Sequence, residues 1–280
     1  MIYNVFSPLN AFWDRTLMQS PKYPQSELKK IAQECAAKVI NAADGQSFFE
    51  TPYKHIVIDN FLPTELAQAC SNGFPGIEDP SWEVTNDKDI EIKYRTNWQS
   101  EFDIPEGLID TIRILNSGQI LNAMGERMAI PKLIPDPYFT GGGLNISKRG
   151  GLLDVHVDGN YHDATGLNRR TNLLIYLNEQ WENDWGGEFG LYDKEGKVCL
   201  KKVAPLFNRC VIFDSHDYSF HGLPDPINFP ENVDRKSIIL YYYTLAPRPS
   251  SQITTNEPHS ALWVKRGLND KRGNKTRKYT

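Results

Sequence analysis

The spacing of hydrophobic positions changes near Pro137, from a helical period on its N-terminal side to short alternating runs beyond it. Leu28, Ile31, Ala32, Cys35, Val39 and Ile40 recur every three or four residues, which predicts an amphipathic helix. Ser26 is its candidate N-cap and Asp44-Gly45 its candidate end. Residues 55–61 read as a strand, and Pro63 sits where a first-turn proline belongs, opening a helix to about Cys70. Residues 82–98 alternate through Ile90, Ile92 and Tyr94 and predict a strand among loops. Leu108, Ile109, Ile112 and Leu115 predict a helix from Pro105, and Ser117 caps another carrying Ile120, Leu121, Met124 and Met128.

Beyond Pro137 the runs 138–147, 152–158, 171–178, 188–192, 198–203, 209–214 and 236–244 are separated by Gly, Asn, Asp and Pro. Gly186-Gly187 supplies one sharp turn between them. Short antiparallel strands in this number suit a double-stranded β-helix, or jelly roll, whose narrow mouth can hold a ligand. The expected fold class is α+β, mainly β, with N-terminal helices supporting one sheet of the jelly roll from outside. No linker composition divides the halves, so 1–280 reads as a single domain. Within it, 1–136 is a helical and mixed support region, 137–246 the jelly-roll core and 247–280 a basic C-terminal extension.

At 40% hydrophobic and 24% charged residues, the composition is that of an ordinary soluble protein. The net charge of −4 gives no overall attraction to nucleic acid or an anionic membrane, so neither is expected as a partner. The C-terminus departs from this balance, with Lys265, Arg266, Lys271, Arg272, Lys275, Arg277 and Lys278 against Asp270; a solvated tail is the expected reading. Cys35, Cys70, Cys199 and Cys210 form no Cys-x-x-Cys pair, which points to reduced thiols and a cytoplasmic location. The N-terminal stretch lacks the pattern of a secretory signal, and no apolar run is long enough to cross a bilayer. Nothing in the pattern sets an oligomeric state.

The stretch Asp154-Val155-His156-Val157-Asp158 carries the sharpest chemical signal. In a strand, successive side chains point to opposite faces, so His156 and Asp158 project together with Val155 and Val157 behind them. His-x-Asp alone is a weak signal. It gains from a later His221-Gly222 and from a strand that opens on Arg235. Two imidazoles and one carboxylate on one face of a metal leave positions open for oxygen and a chelating co-substrate, the non-haem Fe(II) pattern. His216 competes with His221 as the third ligand, His162 falls in the 159–168 loop as a candidate substrate contact, and His55 reads as structural. Lys148, Arg149, Arg169 and Arg170 read as solvated charge, with an acidic substrate as the alternative.

Six signatures occur in order over roughly 138–244: His156-Val157-Asp158, the run from Arg169 to Asn178, Trp185-Gly186-Gly187-Glu188, the run from Asn208 to Phe213, His221-Gly222, and Arg235. The series resembles the 2-oxoglutarate and Fe(II)-dependent oxygenases, and within them the prolyl 4-hydroxylase-like branch. Residues 55–63 and 259–263 also resemble bacterial members of that group. The resemblance implies His156, Asp158 and His221 as iron ligands, with Arg235 pairing the distal carboxylate of 2-oxoglutarate through its planar fork. Tyr176 and Ser237 are implied to contact the same co-substrate, with Asn145 as a polar candidate where the family often has a tyrosine. The implied cofactors are Fe(II), 2-oxoglutarate and O2, with ascorbate rescuing oxidised iron. The implied reaction is hydroxylation of an unactivated C–H in a peptide or small molecule, with a proline or related ring foremost, releasing succinate and CO2. A saccharide or natural-product substrate is the alternative, and a non-catalytic jelly-roll binding protein a further one.

Overall fold

The structure, a computed structural model, describes residues 23–264, so the basic cluster after 264 lies outside the described residues. Helices and short strands come first: α1 (Gln25–Ile40), β1 (Phe48–Phe49), β2 (His55–Ile58), α2 (Thr64–Asn72), β3 (Trp82–Asp87), β4 (Glu91–Thr96), α3 (Glu106–Leu115) and α4 (Gly118–Met128). Strands then take over: β5 (Ile134–Pro135), β6 (Gly143–Ser147), β7 (Leu152–Val157), β8 (Asn168–Tyr176) and β9 (Phe189–Tyr192). The last are β10 (Cys199–Val203), β11 (Arg209–Asp214), β12 (His221–Leu223), β13 (Arg235–Thr244) and β14 (Leu262–Trp263).

These strands form one curled antiparallel sheet in the order β1-β2-β11-β8-β13-β6-β4-β7-β12-β9-β10, with β3 on β4, β5 on β13 and β14 on β7. The fold is the expected jelly roll with helices outside it. Period-two alternation assigns each central residue to a face. Leu173, Ile175 and Leu177 of the β8 segment join Cys210 and Ile212 of β11 and Ile238, Leu240 and Tyr242 of β13 in the core shared with the helices. Their neighbours Leu174, Tyr176, Val211 and Phe213 form the opposite, interior cluster. Each fully buried aliphatic side chain on the helix side contributes about 1.5–3 kcal/mol, which makes this layer the rigid base of the molecule.

The helical pattern is matched closely, with local differences. In α1 the cap is Pro24, whose carbonyl accepts from the N–H groups of Glu27 and Leu28, so Ser26 already lies inside the helix. The helix stops at Ile40, capped by Asn41, and Asp44 lies beyond it in a bridge with Phe48. The single strand expected over 82–98 is a hairpin, turned where Asp87 accepts from the N–H groups of Asp89 and Ile90. The run 138–147 becomes a strand only at Gly143. Its first part is a turn in which the Asp136 carboxylate accepts from the N–H groups of Tyr138 and Thr140. Strands β12 and β14 are too short to show a period.

Candidate metal centre

His156 on β7 and His221 on β12 are direct cross-strand partners, and Asp158 follows β7 on the His156 face. Gly222 permits this closeness, since a Cβ there would meet the carbonyls of Leu153 and Asp154 at 2.8 and 2.9 Å. Each imidazole is oriented by its own chain. His156 Nδ1 lies 2.8 Å from the carbonyl of Asp154, and His221 Nδ1 lies 2.9 Å from that of Ser219. Those contacts place the proton on Nδ1 and leave both Nε2 atoms as lone-pair donors. Nε2 of His156 is 3.5 Å from one Asp158 oxygen and Nε2 of His221 is 3.6 Å from the other. One donor atom from each residue lies within 4.8 Å of the rest.

The electrostatics suit a cation. Burial pushes the His221 imidazole down to about 4, against the opposing pull of Asp158. Burial would raise the Asp158 carboxyl, but His221, His156 and Arg169 overcome it and hold it well below the usual carboxylate range. His221 and Asp158 therefore reach neutral pH deprotonated, the state metal ligands require. Asn172 of β8 donates to Asp158 Oδ2 at 2.5 Å and fixes the carboxylate from the side. Two nitrogen donors and one carboxylate, separated by more than a hydrogen bond, fit a divalent first-row metal.

Next to the triad is a cavity of about 360 Å³ whose lining includes all three residues and Arg235. Arg235 is buried at the start of β13, and its Nε donates to the Gly187 carbonyl at 2.8 Å. Gly187, at φ +79°, has no room for a side chain there, because a Cβ would press on Ile227, Phe229 and Arg235. Lys236 points the other way, its ammonium reaching the Ser71 carbonyl. Asn145, Ser237 and Tyr176 form one row across β6, β13 and β8. Asn145 Nδ2, Ser237 Oγ and the Tyr176 hydroxyl are buried without a protein partner at hydrogen-bond geometry. The Arg235 guanidinium lies 4.9 Å from the Tyr176 ring centre and opposes the rise that burial imposes on the phenol. Three orphaned polar groups beside a buried guanidinium fit a carboxylate-bearing molecule.

The other sequence candidates separate cleanly. His55 is buried on β2, contacts the Tyr53 carbonyl at 2.7 Å and stacks on Phe49. His216 lies against Tyr53 and Tyr218, outside the triad. His162, a candidate substrate contact in the sequence, is buried as an anchor. Its Nε2 meets Asp136 at 2.9 Å, and its Nδ1 accepts from the N–H groups of Ala164 and Thr165. Lys148 and Arg149 pair with Asp234 and Glu231 away from the cavity. Arg169 and Arg170 differ because β8 and β13 slip register at Arg170, a bulge that turns Arg169 into the cavity. There its guanidinium stacks 4.0 Å over Tyr241 and lies 3.7 Å from Asp158. Asn172 escaped the sequence reading although it shares the strand face of Tyr176. The lining segment 258–263 carries no periodic signal.

Residues 142–243 match the family described as the 2OG-Fe(II) oxygenase superfamily. Over that segment the chain carries the sequence pattern of this superfamily. A mouse protein named prolyl 3-hydroxylase OGFOD1 is 31% identical over 86 residues, which span 29% of this chain and only 15% of that relative. Two solved structures share the fold. A Trichoplax adhaerens prolyl hydroxylase in complex with a hypoxia inducible factor peptide fragment aligns at TM-score 0.52 and 17% identity, over 79% of this chain and 94% of that one. A Pseudomonas putida prolyl-4-hydroxylase aligns at TM-score 0.51 and 16% identity, over 77% and 100% respectively. The triad, Arg235 and Tyr176 all fall within the matched segment.

Proposed function

We propose that this chain is a 2-oxoglutarate- and Fe(II)-dependent hydroxylase acting on a proline, peptidyl or free, or on a similar ring. The observation that carries the reading is the triad of His156, Asp158 and His221 opening onto the same cavity as the buried Arg235. In this reading the triad holds iron through two Nε2 atoms and a carboxylate oxygen, with Asn172 steadying the carboxylate. Arg235 grips the distal carboxylate of 2-oxoglutarate, with Tyr176, Ser237 and Asn145 supplying neutral hydrogen bonds. Bound iron, 2-oxoglutarate and O2 together supply the oxidising power that turns an unactivated C–H into an alcohol, with succinate and CO2 released. Ascorbate serves only to restore oxidised iron.

Support for a ring substrate comes from the likeness to a prolyl 3-hydroxylase and from the aromatic walls of the cavity, Tyr161, Tyr241 and Trp263. Flat faces of this kind present area without flexible side chains to order. Residues 1–280 act as one domain in this reading, because β1 to β4 join the same sheet as the site. A cytoplasmic location agrees with four cysteines that are all free. No helix among the described residues is long and apolar enough to cross a membrane.

The test is turnover of proline-containing peptides, free proline and saccharides with Fe(II) and 2-oxoglutarate, read by mass spectrometry and succinate assay. A proline substrate gaining one oxygen atom in step with succinate is the expected result. Gain only on a saccharide would refute the substrate class and leave the reaction class standing.

A further inference from the structure

After β13 the chain returns to β7, and its segment from 258 to 263 forms one wall of the cavity. Trp263 there lies cross-strand from His156, with ring centres 4.5 Å apart and planes at 31°. Such a wall is normally held by apolar anchors, yet no hydrophobic side chain between 245 and 264 is buried. The buried side chains in that stretch are Arg248 and His259.

Both converge on Asp217, whose carboxylate is fully shielded from solvent. It accepts from Arg248 Nη1 at 3.1 Å, from His259 Nε2 at 3.2 Å, and from Thr254 through N at 2.6 Å and Oγ1 at 2.9 Å. Burial would raise this carboxyl, but His259 and Thr254 hold it down at about 2. The cluster reaches beyond the wall itself. Asp217 lies in the turn between β11 and His221, and Arg248 also donates from Nε and Nη2 to the Arg169 carbonyl at 2.9 and 2.5 Å. His259 is further held through its backbone by Asn160, and a Cβ on Gly159 would meet the His259 carbonyl at 2.9 Å.

We propose that Asp217, Arg248 and His259 are positioning residues, a buried charged clasp that sets the 258–263 wall and the Trp263 ring against the metal-bearing strand. The clasp ties together the segments that carry His221, Arg169 and Trp263, adding side-chain bonds to backbone contacts such as Ser215 N–H to the Arg170 carbonyl and Asp217 N–H to the Gln252 carbonyl. Directional bonds among fully desolvated charges give this contact a fixed geometry that an apolar patch of equal size would not. Its role in positioning substrate rests on the hydroxylase reading above; its role in holding the wall does not.

The experiment is amide hydrogen exchange by mass spectrometry on the full chain, comparing the parent with His259→Ala, His259→Gln and the charge-neutral pair Asp217→Asn/Arg248→Met. Exchange at 262–264 should speed by roughly tenfold in His259→Ala, the loss of one charge-assisted hydrogen bond. Amides of β8 and β11 should keep parent protection, and His259→Gln, which retains a side-chain N–H donor, should recover most of the loss. The charge-neutral pair tests the same point without stranding a buried cation, should His259→Ala fail to fold. Unchanged exchange at 262–264 in both, or a rise shared equally by β8 and β11, would overturn the clasp. Co(II) titration of the same samples separates the two readings: a parent that binds no metal refutes the hydroxylase and leaves the exchange result to judge the clasp.

Discussion

Asp158 keeps its charge where burial alone would remove it, because two imidazoles and Arg169 face it. Asn172 completes this arrangement by donating to the oxygen nearer His221. Asn172→Ala should therefore weaken Co(II) or Fe(II) binding by roughly tenfold to a hundredfold, as loss of a supporting hydrogen bond does at metal sites. Calorimetric titration checks it, and an unchanged affinity would remove Asn172 from the metal centre. At the other end of the cavity, Arg235→Ala should cost about 3 kcal/mol of 2-oxoglutarate binding, since a buried carboxylate would lose its charged partner. Tyr176→Phe should cost about 1 kcal/mol, one neutral hydrogen bond. The order of the two losses matters more than their size: equal effects would mean that Arg235 is not the principal anchor. Asp158 was legible beside His156 because strand alternation puts both on one face, whereas Arg235 and Tyr176 came from the resemblance to 2-oxoglutarate oxygenases. Asn172 obeys the same alternation, but an asparagine signals no chemistry until its carboxylate partner is known. Arg169, read as solvated charge just before the predicted strand, is turned into the cavity by a bulge at Arg170 that the sequence does not announce.

At the scale of the strand, β2 illustrates how a histidine serves structure instead of chemistry. His55 is wholly buried between Phe49 and the Tyr53 carbonyl, and burial brings its imidazole down to about 4 from an ordinary 6.5. The folded state thus resists protonation that the unfolded chain accepts. Stability from this group is fully present above 6.5 and drains away as the pH falls toward about 4, where the loss levels off. The parent should lose on the order of 3 kcal/mol more unfolding free energy than His55→Phe between about pH 7 and about pH 4. Urea denaturation across that window measures the difference, and parallel curves for the two proteins would show that His55 is protonated in the fold. The sequence pattern gave the right type for each long element here. It failed on β12 and β14, where two or three residues owe their extended shape to the strand beside them and not to any period of their own.

For the molecule as a whole, helices shield one face of a curled sheet and free its interior for a cavity lined by ionisable groups. The jelly roll could be read in advance from strand count and turn residues, because both are local. The wall at 258–263 could not, because its place depends on a buried charge cluster assembled from distant parts of the chain. The anchoring role of His162 was hidden for a related reason: its partner, Asp136, lies 26 positions earlier and outside any motif. The central functional claim is that His156, Asp158 and His221 hold an iron that works with 2-oxoglutarate. Succinate formation from 2-oxoglutarate, assayed with and without Fe(II) in the parent, His221→Ala and His216→Ala, tests it most directly. The account predicts iron-dependent succinate in the parent and in His216→Ala, and none above background in His221→Ala. Iron-independent succinate, or full activity in His221→Ala, would contradict it.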